Sequence, residues 1–207
     1  RHTHGHGPQL DEQVGRGHDV LMIERRSGGR LGVERLRHAA PQVVIEAARL
    51  YRGAPVKWVL LGQGPLRKIC EERAQGLANV AFEDWLPYEK LPERIHQAAI
   101  LLGVFGTTPK AGRVIPNKVF QSLACGRPVV TRSAGAYPEA LIAEENSGLE
   151  WIPAGDAQAL ADCVATLAAN PDKLRQLGEA AIETSHQYFS ETVVRRQLKN
   201  ALEGLIA

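Results

Sequence analysis

The stretch Gly106-Thr107-Thr108-Pro109-Lys110-Ala111-Gly112-Arg113-Val114-Ile115-Pro116-Asn117-Lys118 concentrates residue types that hold an anion. Small residues leave the backbone approachable, hydroxyls can donate, and Lys110, Arg113 and Lys118 bring positive charge. A helix is expected from Asn117 to Ala124, so the amides of Asn117 and Lys118 have no acceptor within it. The partial positive charge of the helix end points the same way. A diphosphate suits such a place, and Gln121, one turn on, is positioned to bond a ribose hydroxyl. Gly106, Lys110, Arg113 and Pro116 complete the candidate set from this crossover. An ordinary loop with a helix cap is the other reading of the same residues.

Two further glycine-rich turns invite comparison. Arg25-Arg26-Ser27-Gly28-Gly29-Arg30-Leu31-Gly32 pairs flexible backbone with guanidinium groups and fits either a bidentate diphosphate clamp or a solvated loop. Gly62-Gln63-Gly64-Pro65 has the start of a dinucleotide fingerprint, but its third glycine falls on Arg67. The acidic residue that would bind ribose is also missing, with Phe82 at its place. A tight strand-to-helix turn is the better reading there.

Other constellations are sparse. His2, His4 and His6 alternate in a glycine-spaced leader that has nothing to fix ligand geometry. There is no D-x-D pair for a divalent cation, no G-x-S-x-G, no H-E-x-x-H and no Walker loop. Neither a metal nor a cofactor is expected. His38, His96 and His186 are isolated, and Trp85 is read as a core residue, with a pocket wall as the alternative.

The elements that must position these groups alternate regularly. Strands are expected at Val20–Ile23, Val56–Leu61, Val80–Phe82, Ile100–Val104, Pro128–Thr131 and Leu149–Ile152. Between them lie helices at about Ala39–Tyr51, Pro65–Gln75, Glu89–Ala98 and Asn117–Ala124, with a short one near Glu139. On the first of these Val43, Val44, Ala47, Ala48 and Tyr51 share a face. Alternation of this kind predicts an α/β fold, a Rossmann-like doubly wound parallel sheet of about six strands with C-terminal helices. Asp156, Asn170 and Ser190 are the expected caps of three closing helices. The last has an apolar side of Val193, Val194, Leu198, Ala201, Leu202 and Leu205. Residues 1–18 are expected to be a mobile leader, 19–189 a Rossmann-like domain and 190–207 a C-terminal helix.

Composition narrows the class further. The chain has 207 residues, 44% of them hydrophobic and 23% charged, which is ordinary globular material. Lys and Arg number 25 against 23 Asp and Glu, so the net charge of +2 is too small for a nucleic-acid surface. No apolar stretch approaches the ~20 residues that span a bilayer, so no transmembrane segment is expected. Three unpaired-looking cysteines, Cys70, Cys125 and Cys163, fit reduced thiols in the cytoplasm, with peripheral attachment at the inner membrane face as a variant.

Several blocks resemble the C-terminal half of retaining GT-B glycosyltransferases of the group 1 type. They are Trp85-Leu86-Pro87-Tyr88-Glu89-Lys90-Leu91-Pro92, Leu102-Gly103-Val104-Phe105-Gly106, Val114-Ile115-Pro116-Asn117-Lys118-Val119-Phe120-Gln121 and Leu123-Ala124-Cys125-Gly126-Arg127-Pro128-Val129-Val130. Ile152-Pro153-Ala154-Gly155-Asp156 is similar to that family's closing turn. The resemblance implies one half of a GT-B fold that binds a nucleoside-diphosphate sugar, with a separate N-terminal acceptor-binding domain and no metal. In the family's E-x7-E motif the first Glu contacts the sugar and the second the ribose. Here these positions are Arg113 and Gln121, an I-P-N-K variant of the pattern. Arg25 matches the family's first-loop arginine, and Arg30 is the substitute for its lysine, since Leu31 stands at that place.

The resemblance therefore implies sugar transfer from a nucleoside-diphosphate sugar to an acceptor, this chain supplying the donor-binding half. The alternative is a non-catalytic nucleotide-sugar or partner-binding module that lacks the acceptor domain. An NAD-dependent oxidoreductase is disfavoured by Arg67 and the missing ribose acid.

Overall fold

In the computed structural model, residues 18–23, 40–64 and 66–206 are described. Six strands form one sheet: β1 (His18–Ile23), β2 (Val56–Leu61), β3 (Val80–Glu83), β4 (Ala98–Leu102), β5 (Val129–Arg132) and β6 (Leu149–Ile152). Every pairing is parallel and the order is β3-β2-β1-β4-β5-β6. This is the Rossmann-type order, in which the winding reverses between β1 and β4.

The strand sequences explain why the sheet is covered on both faces. In β2 only Lys57 is exposed, as a strand between two helical layers requires. Side chains alternate with a period of two. Val20, Trp58, Leu60, Ile100 and Leu102 pack on one face, against Val44, Ile45, Ala47 and Ala48 of α1 (Pro41–Leu50) and Leu160, Val164 and Leu167 of α6 (Ala157–Ala168). Leu21, Val59, Leu61, Leu101 and Val129 face the other way. They meet Ile95 of α3 (Leu91–His96), Val119 and Leu123 of α4 (Asn117–Ala124) and Leu141 of α5 (Glu139–Ala143). Truncating a fully buried member such as Leu101 to alanine would cost about 2–5 kcal/mol.

Between β2 and β3 lies α2 (Arg67–Arg73), and the chain closes with α7 (Pro171–Phe189) and α8 (Glu191–Ile206). Asp156 accepts from the Ala159 amide at 2.9 Å and Asn170 from the Lys173 amide at 3.0 Å, so both expected caps form. At Ser190 it is the carbonyl that accepts from Val194, at 3.0 Å.

Several expectations shift. The fourth strand runs two residues earlier than its apolar stretch suggests, although Gly103 beyond its end still donates to the Val130 carbonyl at 2.9 Å. A Cβ at Gly103 would collide with the Thr131 hydroxyl of β5. The segment expected as one helix over 89–98 is a 3₁₀ turn at Tyr88–Lys90 followed by the short α3. The helix expected over 65–75 narrows to Arg67–Arg73. On α1, Ile45 is fully buried and Val43 only half-buried, since the helix is covered by α6 as well as by the sheet. Trp85 is 42% exposed, so it is not a core residue; Trp58 fills that role. β1 begins at His18, the last residue assigned to the leader.

Candidate functional site

In a sheet of this order, ligands lie beyond the carboxyl ends of the strands at the reversal point, between β1 and β4. The chain that leaves β4 there is the crossover from Gly103 to Pro116. It carries Gly106, Lys110, Arg113 and Pro116 and delivers Asn117, Lys118 and Gln121 on α4, so these seven candidates share one segment at the reversal point. Arg25 and Arg30 lie outside the described residues.

The entry to α4 is built by Pro116, which has extended backbone and precedes the helix without a capping side chain. No acidic residue lies in the first turn. Val119 donates to the Pro116 carbonyl at 2.9 Å, while Asn117 is exposed and Lys118 half-buried. The Lys118 carbonyl takes the Ser122 hydroxyl at 2.6 Å, and the Gln121 carbonyl takes the Cys125 amide, leaving the Gln121 amide group half-buried at the helix surface. An end of this kind attracts anions through its dipole and its amides.

The crossover itself is held by short ties. Gly112 donates to Pro109 at 3.2 Å and Arg113 to Lys110 at 3.0 Å, forming successive turns. Gly155, on the loop after β6, donates to the Phe105 carbonyl at 2.8 Å. Val104 donates to the Thr131 hydroxyl at 3.3 Å. Lys110 and Arg113 are exposed.

One contributor was not foreseen from the sequence. Arg132, the last residue of β5, reaches across to the crossover. Its Nη1 donates to the Gly106 carbonyl at 2.8 Å and its Nε to Ser133 at 3.0 Å. Its Nη2 would stand 3.4 Å from a Cβ at Gly112, so the loop wraps the guanidinium closely. The signal available beforehand was positional: a cation at the carboxyl end of a parallel strand next to the reversal point.

Beside the helix entry opens a crevice of about 370 Å³ lined by Ile115, Phe120, Ala136, Pro138, Tyr188, Phe189, Val194 and Gln197. Phe120 and Phe189 meet edge to face at 4.9 Å on its floor. Tyr137, from the same loop as Ala136 and Pro138, is buried, and burial pushes its phenol up to about 12. Burial also pushes the Cys163 thiol up to about 12, with Glu150 adding to the effect, which marks an inert structural cysteine.

The Gly62-Gln63-Gly64 turn is a different place. Gly62 has φ 134°, which favours glycine, and Arg67 donates to the carbonyls of Gly62 at 2.8 Å and Glu83 at 2.9 Å. The side chain that occupies the third glycine's position thus stitches the turn to β3. Next to it, Arg94, only 7% exposed, forms a two-pronged pair with Glu83 at 2.7 and 2.9 Å.

Among the described residues no group of three or more His, Cys, Asp or Glu comes together, and no helix is long and apolar enough to cross a membrane.

Comparison with known proteins shows the family and the fold. A family model for group 1 glycosyl transferases matches residues 20–170, and the chain belongs to that family. It is 29% identical over 153 residues to a GDP-mannose-dependent alpha-(1-6)-phosphatidylinositol dimannoside mannosyltransferase of Mycobacterium tuberculosis, covering 72% of this chain and 36% of that protein. It is likewise 29% identical over 174 residues to the amylovoran biosynthesis glycosyltransferase AmsK of Erwinia amylovora, with coverage of 79% and 41%. Among solved structures, Anabaena HepE in complex with UDP and glucose superposes with a TM-score of 0.69 at 18% identity, covering 91% of this chain and 48% of that one. The chain therefore spans less than half the length of these relatives.

Proposed function

We propose that this chain is the donor-binding half of a glycosyltransferase, of the retaining type and the I-P-N-K variety, that takes sugar from a nucleoside diphosphate. The observation that carries this reading is the uncapped entry of α4 at the sheet's reversal point, preceded by a cation-bearing crossover. The amides of Asn117 and Lys118, with the Lys118 ammonium, would face the diphosphate. Gln121 would hold ribose, and the backbone from Arg113 to Pro116 would lie along the sugar. Lys110 and Gly106, and Arg25 and Arg30 from the sequence that follows β1, complete the proposed set.

In transfer, the bond from sugar C1 to the diphosphate oxygen breaks and its electron pair leaves with the diphosphate. The acceptor hydroxyl oxygen forms the new bond to C1 and releases its proton. Negative charge therefore grows on the leaving group, where pre-placed amides and Lys118 stabilise it without reorganisation. The acceptor would be bound by the part of the protein that the relatives possess and this chain does not span. Both curated relatives are named as glycosyltransferases, one of them dependent on GDP-mannose, while HepE was solved with UDP, so either base is a candidate.

Titration calorimetry with UDP, GDP and their sugar conjugates tests the reading. Binding of at least one is expected; silence from all of them would remove it. Lys118→Ala should weaken nucleoside-diphosphate binding about tenfold. Its melting temperature should stay within about 2 °C of the parent.

A second reading, a non-catalytic binding module, draws on the exposed face of α8, where Val194, Leu198 and Leu202 are 51, 59 and 51% exposed. Turnover by this chain alone would exclude it.

A further inference from the structure

Between Glu93 and Glu139 the sequence contains no aspartate or glutamate, while Lys or Arg stands at 94, 110, 113, 118, 127 and 132. The chain as a whole is nearly balanced, so this is segregation rather than composition. Two of these cations are engaged away from the crossover: Arg94 with Glu83, and Arg127, whose Nη2 donates to the His96 carbonyl at 2.6 Å. Lys110, Arg113, Lys118 and Arg132 remain around the crossover and the α4 entry. No carboxylate among the described residues pairs with Lys110, Arg113 or Arg132.

The hydrogen-bonding inventory points the same way. A neutral hexose presents hydroxyls, each of which needs an acceptor for its proton as well as a donor. Lysine and arginine only donate. Four of the crossover's carbonyls already accept one hydrogen bond: Gly106 O from Arg132, Pro109 O from Gly112, Lys110 O from Arg113 and Pro116 O from Val119. The Thr108 hydroxyl accepts from Ala111 at 3.4 Å. The side-chain charge of this segment is all positive, and its complement is a ligand that carries negative charge. The diphosphate meets that description at the α4 entry. Upstream, where the donor's sugar would lie, Arg113 and Lys110 are exposed on the loop and Arg132 is wrapped within it.

We propose that the donor sugar is itself acidic, a hexuronate, whose carboxylate is read by Arg113 with Lys110, and that Arg132 is the positioning residue that holds the loop beneath them. The inference rests on the donor-site reading above. A guanidinium facing a carboxylate makes charge-assisted, two-pronged contacts that a hydroxymethyl group cannot match.

The experiment separates the two claims. The 207-residue chain is first titrated with UDP and GDP; if neither binds, the donor site and this inference fall together. With the nucleotide that binds, the hexuronate conjugate is compared with its neutral hexose: UDP-glucuronate with UDP-glucose, or GDP-mannuronate with GDP-mannose. The hexuronate is expected to bind at least about tenfold more tightly. In Arg113→Gln that ratio should collapse to within about twofold, whatever the absolute affinities, and Arg113→Lys should restore part of it. Arg113 is exposed and only its main chain is engaged, so the variant is expected to fold. Equal binding of the two conjugates, tighter binding of the hexose, or a ratio unchanged in Arg113→Gln would overturn the inference while leaving the donor site standing.

Discussion

The turn after β2 and the crossover after β4 begin alike. Both leave the carboxyl end of a central parallel strand through glycine and both lead to a helix, yet one is closed and the other open. At the first, Arg67 fills the space a third glycine would leave and bonds Gly62 and Glu83, with Asp84 within 3.4 Å. Charge there is matched locally, Arg94 to Glu83 and Arg67 to Asp84 and Glu71. At the second, Lys110, Arg113 and Arg132 pair with no carboxylate among the described residues, and the helix end has no capping side chain. Glycines at a strand-to-helix turn permit a ligand; unmatched charge is what asks for one.

That contrast can be broken at four points. The largest effect is expected for Arg94→Ala, which strands the half-buried Glu83 carboxylate and should cost about 3 kcal/mol of stability. Urea denaturation measures it, and nucleoside-diphosphate affinity should not move; a loss of affinity would mean that the closed turn serves the ligand after all. Gly62→Ala forces a side chain into φ 134° and should cost about 2 kcal/mol, again without a binding phenotype. At the open crossover the pattern inverts. Lys118→Ala should lose about 1.4 kcal/mol of nucleotide binding, the tenfold stated above, at nearly constant melting temperature.

The smallest effect is a pH dependence beneath the open side. The Tyr137 phenol sits near 12 when folded against an ordinary 10, so the unfolded chain loses its proton first. The associated stability is whole below pH 10 and drains as pH rises toward 12, at roughly 1 kcal/mol per pH unit. Subtracting the denaturation profile of Tyr137→Phe from that of the parent should isolate this slope. A flat difference would mean that the ring is less enclosed than its packing against Trp151, at 4.9 Å, indicates.

Much of the fold was legible because period and punctuation agree. β2, α4 and β6 match their sequence-derived bounds, since apolar runs end at glycine or proline there. The Asp156 and Asn170 caps were equally readable, because a capping side chain acts within three residues of itself. What was not legible depends on partners far along the chain. Arg132 meets Gly106 across 26 residues, Arg67 meets Glu83 across 16, and Arg94 meets Glu83 across 11. Nothing local distinguishes such arginines from solvated ones. Trp85 misled for a related reason: a large aromatic side chain announces burial, but here it follows an edge strand and remains in solvent.

The ties from Arg132 to Gly106 and from Gly155 to Phe105 also bear on the thermodynamics of recognition. They shape the crossover before any nucleotide arrives, so little chain freedom remains to be surrendered on docking. Amide exchange at Ala111, Gly112 and Arg113, whose amides donate within the crossover, should accordingly change little on saturation.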